Sequence, residues 1–165
     1  MVNTKTAFFA FVIFLLSITV VHAQEKGEFS FFAAPALEII NYGRDTPAIG
    51  GGITLGGGGN ISMGISLLFF QSFDTALSSM ETNIFLRFSL RRFEIVKGLF
   101  VQVNAGAVLF FSWNDIELPA RAGTFSTGIA AGWTFPLGER FYVEPYLRLG
   151  YPYYGGIGVS AGIKF

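Results

Sequence analysis

The chain has no cysteine, so disulfide scaffolds, thiol catalysis and Cys-ligated zinc are excluded at once. Charge is scarce as well: 13% of residues are Asp, Glu, Lys or Arg, against the roughly 25% typical of soluble domains. What charge there is balances to zero, which gives no electrostatic ground for a nucleic-acid partner. Histidine occurs once, at His22. Beyond the N-terminal segment no apolar run approaches the length of a membrane helix. Against these absences, 52% of the residues are hydrophobic, and glycine and phenylalanine are the conspicuous types. Such a chain must either bury an unusual share of itself or face lipid. At 165 residues it is one domain in length, not two.

Residues 1–23 read as a signal peptide. Lys5 supplies the positive start, Ala7 to Val21 is uncharged and mostly apolar, and Val21-His22-Ala23 places small residues at the cleavage positions before Gln24. The apolar run falls short of the roughly 20 residues a membrane helix needs. Without a cysteine after it, a lipoprotein signal is ruled out. The single histidine leaves with this segment, so residues 24–165 form a domain with no imidazole base.

Within that domain, apolar and polar or small residues alternate with the period of a β-strand in eight segments of roughly ten residues, the length a tilted strand needs to cross a bilayer. They begin at Phe29, Ile49, Ile61, Asn83, Leu99, Phe125, Phe141 and Gly156. One face of every segment is bulky, apolar and free of charge, as in Leu99, Val101, Val103, Ala105 and Ala107. The other carries Gly, Ser, Thr, Asn, Gln and a few charges, as in Gln102, Asn104 and Gly106. A soluble sandwich would turn its bulky face inward and its polar face to water; here the distribution fits lipid outside and a narrow filled interior.

The connections alternate in length. Gly56–Asn60, Arg91–Gly98 and Pro136–Arg140 are short, whereas Glu38–Ala48, Gln71–Glu81 and Ser112–Gly123 are longer and more polar, with Pro152–Tyr154 a brief fourth. An even number of strands puts both termini on the periplasmic side of a bacterial outer membrane and the longer loops outside. Aromatics at strand ends then fall into two belts, Phe29, Trp133, Phe135, Phe141 and Phe165 at one interface and Phe69, Phe111, Trp113, Phe125 and Tyr151 at the other. The expected fold is an all-β, membrane-spanning, antiparallel up-and-down barrel. Pro35 and Pro145 lie inside proposed strands, where each removes a ladder donor, so a bulge or local break is expected at both.

The whole of this domain resembles the small outer-membrane barrel families of the OmpX, OmpA-transmembrane and OmpW types. The most specific feature is Gly155 to Phe165, an alternating last strand that ends on phenylalanine. In those families the terminal strand is recognised by the barrel-assembly machinery. The resemblance implies that role for Ile157, Val159, Ala161, Ile163 and Phe165, with assembly machinery and outer-membrane lipid as partners.

Glycine clusters at Gly50–Gly52 and Gly56–Gly59 lack the Gly-Lys-Ser/Thr of a phosphate loop. Gly156-x-Gly158-x-x-Ala161 has no room for the helix a dinucleotide fingerprint requires. No cofactor is therefore expected. Enzymatic barrels of this architecture generally rely on a histidine, which the domain lacks, and no nucleophile–base pair is visible; a non-enzyme is expected. Two interior groups stand out. Glu144 and Arg148, four residues apart on one inward face, together with Arg87, Gln102, Asn104 and Tyr146, are expected to form a polar plug in which Glu144 bridges Arg87 or Arg148. Leu68, Phe70, Phe85, Val108 and Phe110 point inward near the outer mouth, either as a small apolar pocket or as filler opposite the glycines. Two functions remain open at this stage: a structural or surface-interaction barrel, and a narrow conduit or binding site for small hydrophobic molecules.

Overall fold

A computed structural model describes residues 29–42, 46–73, 76–90, 98–112 and 122–165; the expected signal peptide lies outside the described residues, as does Trp113. The elements are β1 (Ser30–Asn41), β2 (Pro47–Gly58), β3 (Ile61–Ser72), β4 (Leu77–Ser89), β5 (Leu99–Ser112), β6 (Ala122–Trp133), the two-residue β7 (Phe135–Pro136), β8 (Phe141–Tyr151) and β9 (Gly155–Lys164). Every pairing is antiparallel, and, β6 and β7 apart, sequence neighbours are sheet neighbours. The ring closes where β9 meets β1 and β6 meets β8.

The register can be followed once around the wall. Ser30 faces Gly58, and the path runs on through Ser62, Arg87, Gln102, Ala130, Arg148 and Gly156 to Ile40. The circuit therefore returns ten residues further along β1. A stagger of that size in eight strands corresponds to a tilt of about 40° from the barrel axis and an interior only wide enough for side chains.

β6 and β7 are one strand of the ring, interrupted at Thr134. Both pair with β8 in the same register, Gly132 with Tyr146 and Phe135 with Val143. Pro145 sits opposite the interruption and has no N–H to give. In an antiparallel strand the N–H and C=O of one residue address the same neighbour, and at Pro145 that neighbour is β6, since the ladder to β9 continues through Pro145 and Val159. Pro35 does the same on the other side. Its pairing with Ile53 is intact, whereas β1 and β9 lose contact between Ala33–Ile163 and Ala36–Ser160. Both prolines thus give a local break without a bulge.

The wall is inside-out relative to a soluble protein. Outward residues such as Leu37 (55% exposed), Ile65 (54%) and Ile129 (53%) present apolar surface around the barrel, which in water would be a costly patch and in a bilayer is the expected one. Phe125 stacks near Tyr151 (5.1 Å between ring centres) and Phe69 near Phe111 (5.9 Å) at the end remote from the termini. The interior holds an apolar cluster towards each end, Phe32, Ala34, Phe85 and Tyr142 near the termini and Ile40, Ala48, Leu68, Phe70 and Tyr153 at the far end.

Strand ends differ from the sequence reading. β1 continues four residues past Leu37, and β4 begins at Leu77, not Asn83. The loops expected at Glu38–Ala48 and Gln71–Glu81 shrink accordingly. The reason is that Glu38 and Glu81, polar residues at the margins of these connections, sit on the inward side of an alternation that continues through Ile39 and Met80.

Candidate functional site

The interior is where the sequence departs most from what a plain wall needs, because Glu38, Glu81, Glu144 and Arg148 are buried in it and Arg87 is largely so. Glu144 on β8 and Arg87 on β4 meet across the lumen. The Arg87 Nη1 donates to both carboxylate oxygens of Glu144, at 2.9 and 3.1 Å, and its Nε donates to the Gln102 Oε1 at 2.8 Å. Gln102 passes the chain on to the Asn104 Oδ1 (2.7 Å). The Thr134 hydroxyl, freed where β6 is interrupted, donates to Glu144 Oε1 at 2.7 Å, and Ser160 donates to the other oxygen at 3.4 Å. The guanidinium lies 4.3 Å from the Phe100 ring, with Phe32 and Phe85 further off at 5.6 and 5.8 Å. Carboxylate on one side and aromatic faces on the other satisfy a cation that is largely withdrawn from water.

A second network lies one step further from the termini. Arg148, two turns of the alternation beyond Glu144 on β8, donates from Nη1 to Glu38 Oε2 at 2.7 Å and from Nη2 to Glu81 Oε1 at 2.6 Å. Tyr146 donates to the other oxygen of Glu38 at 2.6 Å, and Asn83 donates to Glu81 Oε1 at 2.8 Å. Ser126 donates in turn to Asn83. All three charged side chains are nearly inaccessible, Glu81 completely so. One guanidinium bridging two carboxylates ties β8 to β1 and β4 at once.

Between the two networks a cavity of about 30 Å³ remains, lined by small and polar groups including Ala34, Thr54, Ser66, Asn104 and Ser160. That is space for about one or two waters and no open channel. At the far end Tyr42, following β1, packs edge-on to Phe110 (5.2 Å) and Phe70 (6.4 Å), and Tyr153, from the β8–β9 loop, lies over Arg148. Burial pushes the hydroxyls of Tyr42 and Tyr153 above the ordinary phenol range, so both stay neutral in neutral solution.

Of the six residues expected to form one plug, four, Arg87, Gln102, Asn104 and Glu144, are in the first network. Tyr146 and Arg148 belong to the second, with Glu38 and Glu81, which lie in β1 and β4 and not in the loops expected there. Of the five expected apolar residues, Leu68 and Phe70 join Ile40, Ala48 and Tyr153, Val108 is fully buried, and Phe110 meets Tyr42. Phe85 is elsewhere: it packs with Phe32 and Tyr142 beside Arg87, because the earlier start of β4 places it in the half of the barrel nearer the termini. Ile40, Tyr42 and Tyr153 occupy the space that an outer pocket would need. In β9, Ile157 and Val159 face outward, Phe165 is exposed, and its N–H donates to the Phe31 carbonyl at 2.9 Å.

No protein-family model matches the chain, and no curated protein does. Solved structures do. Neisserial surface protein A superposes with a TM-score of 0.63 at 10% identity, covering 83% of this chain and 97% of its own. The N-terminal β-barrel domain of Pseudomonas aeruginosa OprF superposes with a TM-score of 0.54 at 16% identity, covering 82% and 97%. At such identities the likeness is one of architecture: the chain has the closed eight-stranded fold of the small outer-membrane barrels.

Proposed function

We propose that this protein is a non-enzymatic barrel of the bacterial outer membrane, closed along its axis, that contributes to the envelope as a rigid membrane element and meets the outside through the loops at its far end. The observation that carries this reading is the interior. Two ion-paired networks span the lumen at different depths, and aromatic clusters lie beyond them, which is a poor design for passage and a good one for rigidity. The uncharged, exposed outer face supports lipid as the surrounding medium. Both termini then lie in the periplasm, and Phe165 with its outward neighbours serves as the signal for the assembly machinery. A conduit or pocket for small hydrophobic molecules is the weaker reading, since the apolar far end of the lumen is filled by Ile40, Tyr42 and Tyr153. Membrane fractionation with whole-cell labelling tests the proposal. The expected result is a heat-modifiable protein in the outer-membrane fraction whose Phe73 and Tyr154 loops are reached by an impermeant reagent. Recovery from the inner membrane or as soluble periplasmic protein would overturn it.

A further inference from the structure

The loop between β8 and β9 is only Pro152 to Tyr154, yet its two tyrosines go opposite ways: Tyr154 is 72% exposed and Tyr153 is 1% exposed. The Tyr153 ring turns back into the barrel and lies 4.0 Å from the Arg148 guanidinium carbon. It belongs to the apolar cluster of Ile40, Ala48, Leu68 and Phe70. The hydroxyl end reaches the wall at a place that has no side chains. Gly128 and Gly150 face each other across β6 and β8, and a Cβ on either would stand 2.5 or 2.8 Å from the Tyr153 oxygen. Two glycines side by side on the inward face of adjacent strands make a recess, and the phenol occupies it. The loop is tied in place by the Tyr154 N–H, which donates to the Asn41 carbonyl at 2.8 Å.

We propose that Tyr153 is a stopper carried by an outer loop: seated in the Gly128–Gly150 recess, it seals the Arg148–Glu38–Glu81 network against solutes arriving from the far end. Its hydroxyl, beside the Arg148 guanidinium, makes no well-aligned hydrogen bond among the described residues, so the seal is made by the ring, through its face on Arg148 and its place in the apolar cluster. The Arg87–Glu144 pair belongs to the other network, nearer the termini, and is a separate barrier. The inference deepens the closed-barrel reading and rests on it, because it assigns the outer part of the closure to one side chain.

The test uses the full barrel refolded in lipid vesicles. A charged aryl diazonium salt should modify Tyr154 and spare Tyr153, the two being distinguished by fragment mass spectrometry. This requires no variant and so does not depend on a mutant folding. Because the chain lacks cysteine, Leu68→Cys provides a single thiol within the cluster that Tyr153 belongs to, and a charged methanethiosulfonate reports access to it. With Tyr153→Phe the thiol should stay as protected as in the Leu68→Cys parent. With Tyr153→Ala it should react at a rate close to that of an exposed reference thiol introduced as Tyr154→Cys. Modification of Tyr153 as fast as Tyr154, or equal protection of the thiol in the Phe and Ala variants, would overturn the stopper. The closed-barrel reading fails separately, on current through the unmodified barrel.

Discussion

Replacing Arg148 by methionine is the most informative single perturbation of the interior. The side chain is 4% exposed, and it is the shared partner of Glu38 and Glu81. Removing one partner of a buried pair costs about 3–5 kcal/mol, chiefly because the remaining charge is left without compensation. Here two carboxylates lose their cation together, and they face one another across the same small space. That places Arg148→Met at the upper end of the range, about 5 kcal/mol. Glu144→Ala is the internal comparison. It strands Arg87, but that guanidinium keeps its hydrogen bond to Gln102 and its position on Phe100, a cation–π contact worth about 0.5–2 kcal/mol. The expected loss is therefore nearer about 3 kcal/mol. Adding Glu38→Gln and Glu81→Gln to Arg148→Met removes both stranded charges and should recover much of the deficit. Urea unfolding of the vesicle-inserted barrel, followed by tryptophan fluorescence, gives all three values. An Arg148→Met loss no larger than that of Glu144→Ala, or no recovery in the triple variant, would refute the assignment of Arg148 as the bridging cation.

Other expectations follow from the wall. Arg in place of the outward Val103 or Ile129, both near mid-strand, should cost about 2–4 kcal/mol in a bilayer, measured by the same urea titration, whereas alanine at either position should be far milder. Pro145→Val restores an N–H opposite the interruption between β6 and β7 and should stabilise by about 0.5–1.5 kcal/mol, the worth of one ladder hydrogen bond; slowed hydrogen exchange near Trp133 would accompany it. Deleting Phe165 removes the N–H that closes on Phe31 and should lower the heat-modifiable, inserted fraction in cells while leaving export intact.

The fold was legible because lipid imposes one rule on every strand. Outward positions must be apolar, and the resulting period of two survives glycine, proline and loop variation. The breaks at Pro35 and Pro145 were legible for an equally local reason, the missing donor. What the pattern could not show was how far each strand continues. Ile39 and Ile40 are consecutive apolar residues on opposite faces, which blurs the alternation, and Glu38 and Glu81 look like loop residues until a buried partner is known. The identity of that partner is set by stagger around the ring, a property of all eight strands together. So Glu144 could be expected to meet Arg87 or Arg148, but the choice between them required the register. Tyr153 illustrates the same limit: nothing in Pro152-Tyr153-Tyr154 says which tyrosine turns inward. The decision lies in Gly128 and Gly150, which face each other across β6 and β8 and meet the Tyr153 oxygen.

The central claim is that this barrel spans a membrane and is closed by its own side chains. Planar-bilayer recording of the refolded, unmodified chain tests that claim directly. Inserted barrels whose heat-modifiable mobility proves they are folded should give a baseline without steps across the voltage range, while a variant lacking both networks and the far-end ring, Glu144→Ala with Arg148→Met and Tyr153→Ala, should leak. Steady, ohmic current steps through the unmodified barrel would contradict the account.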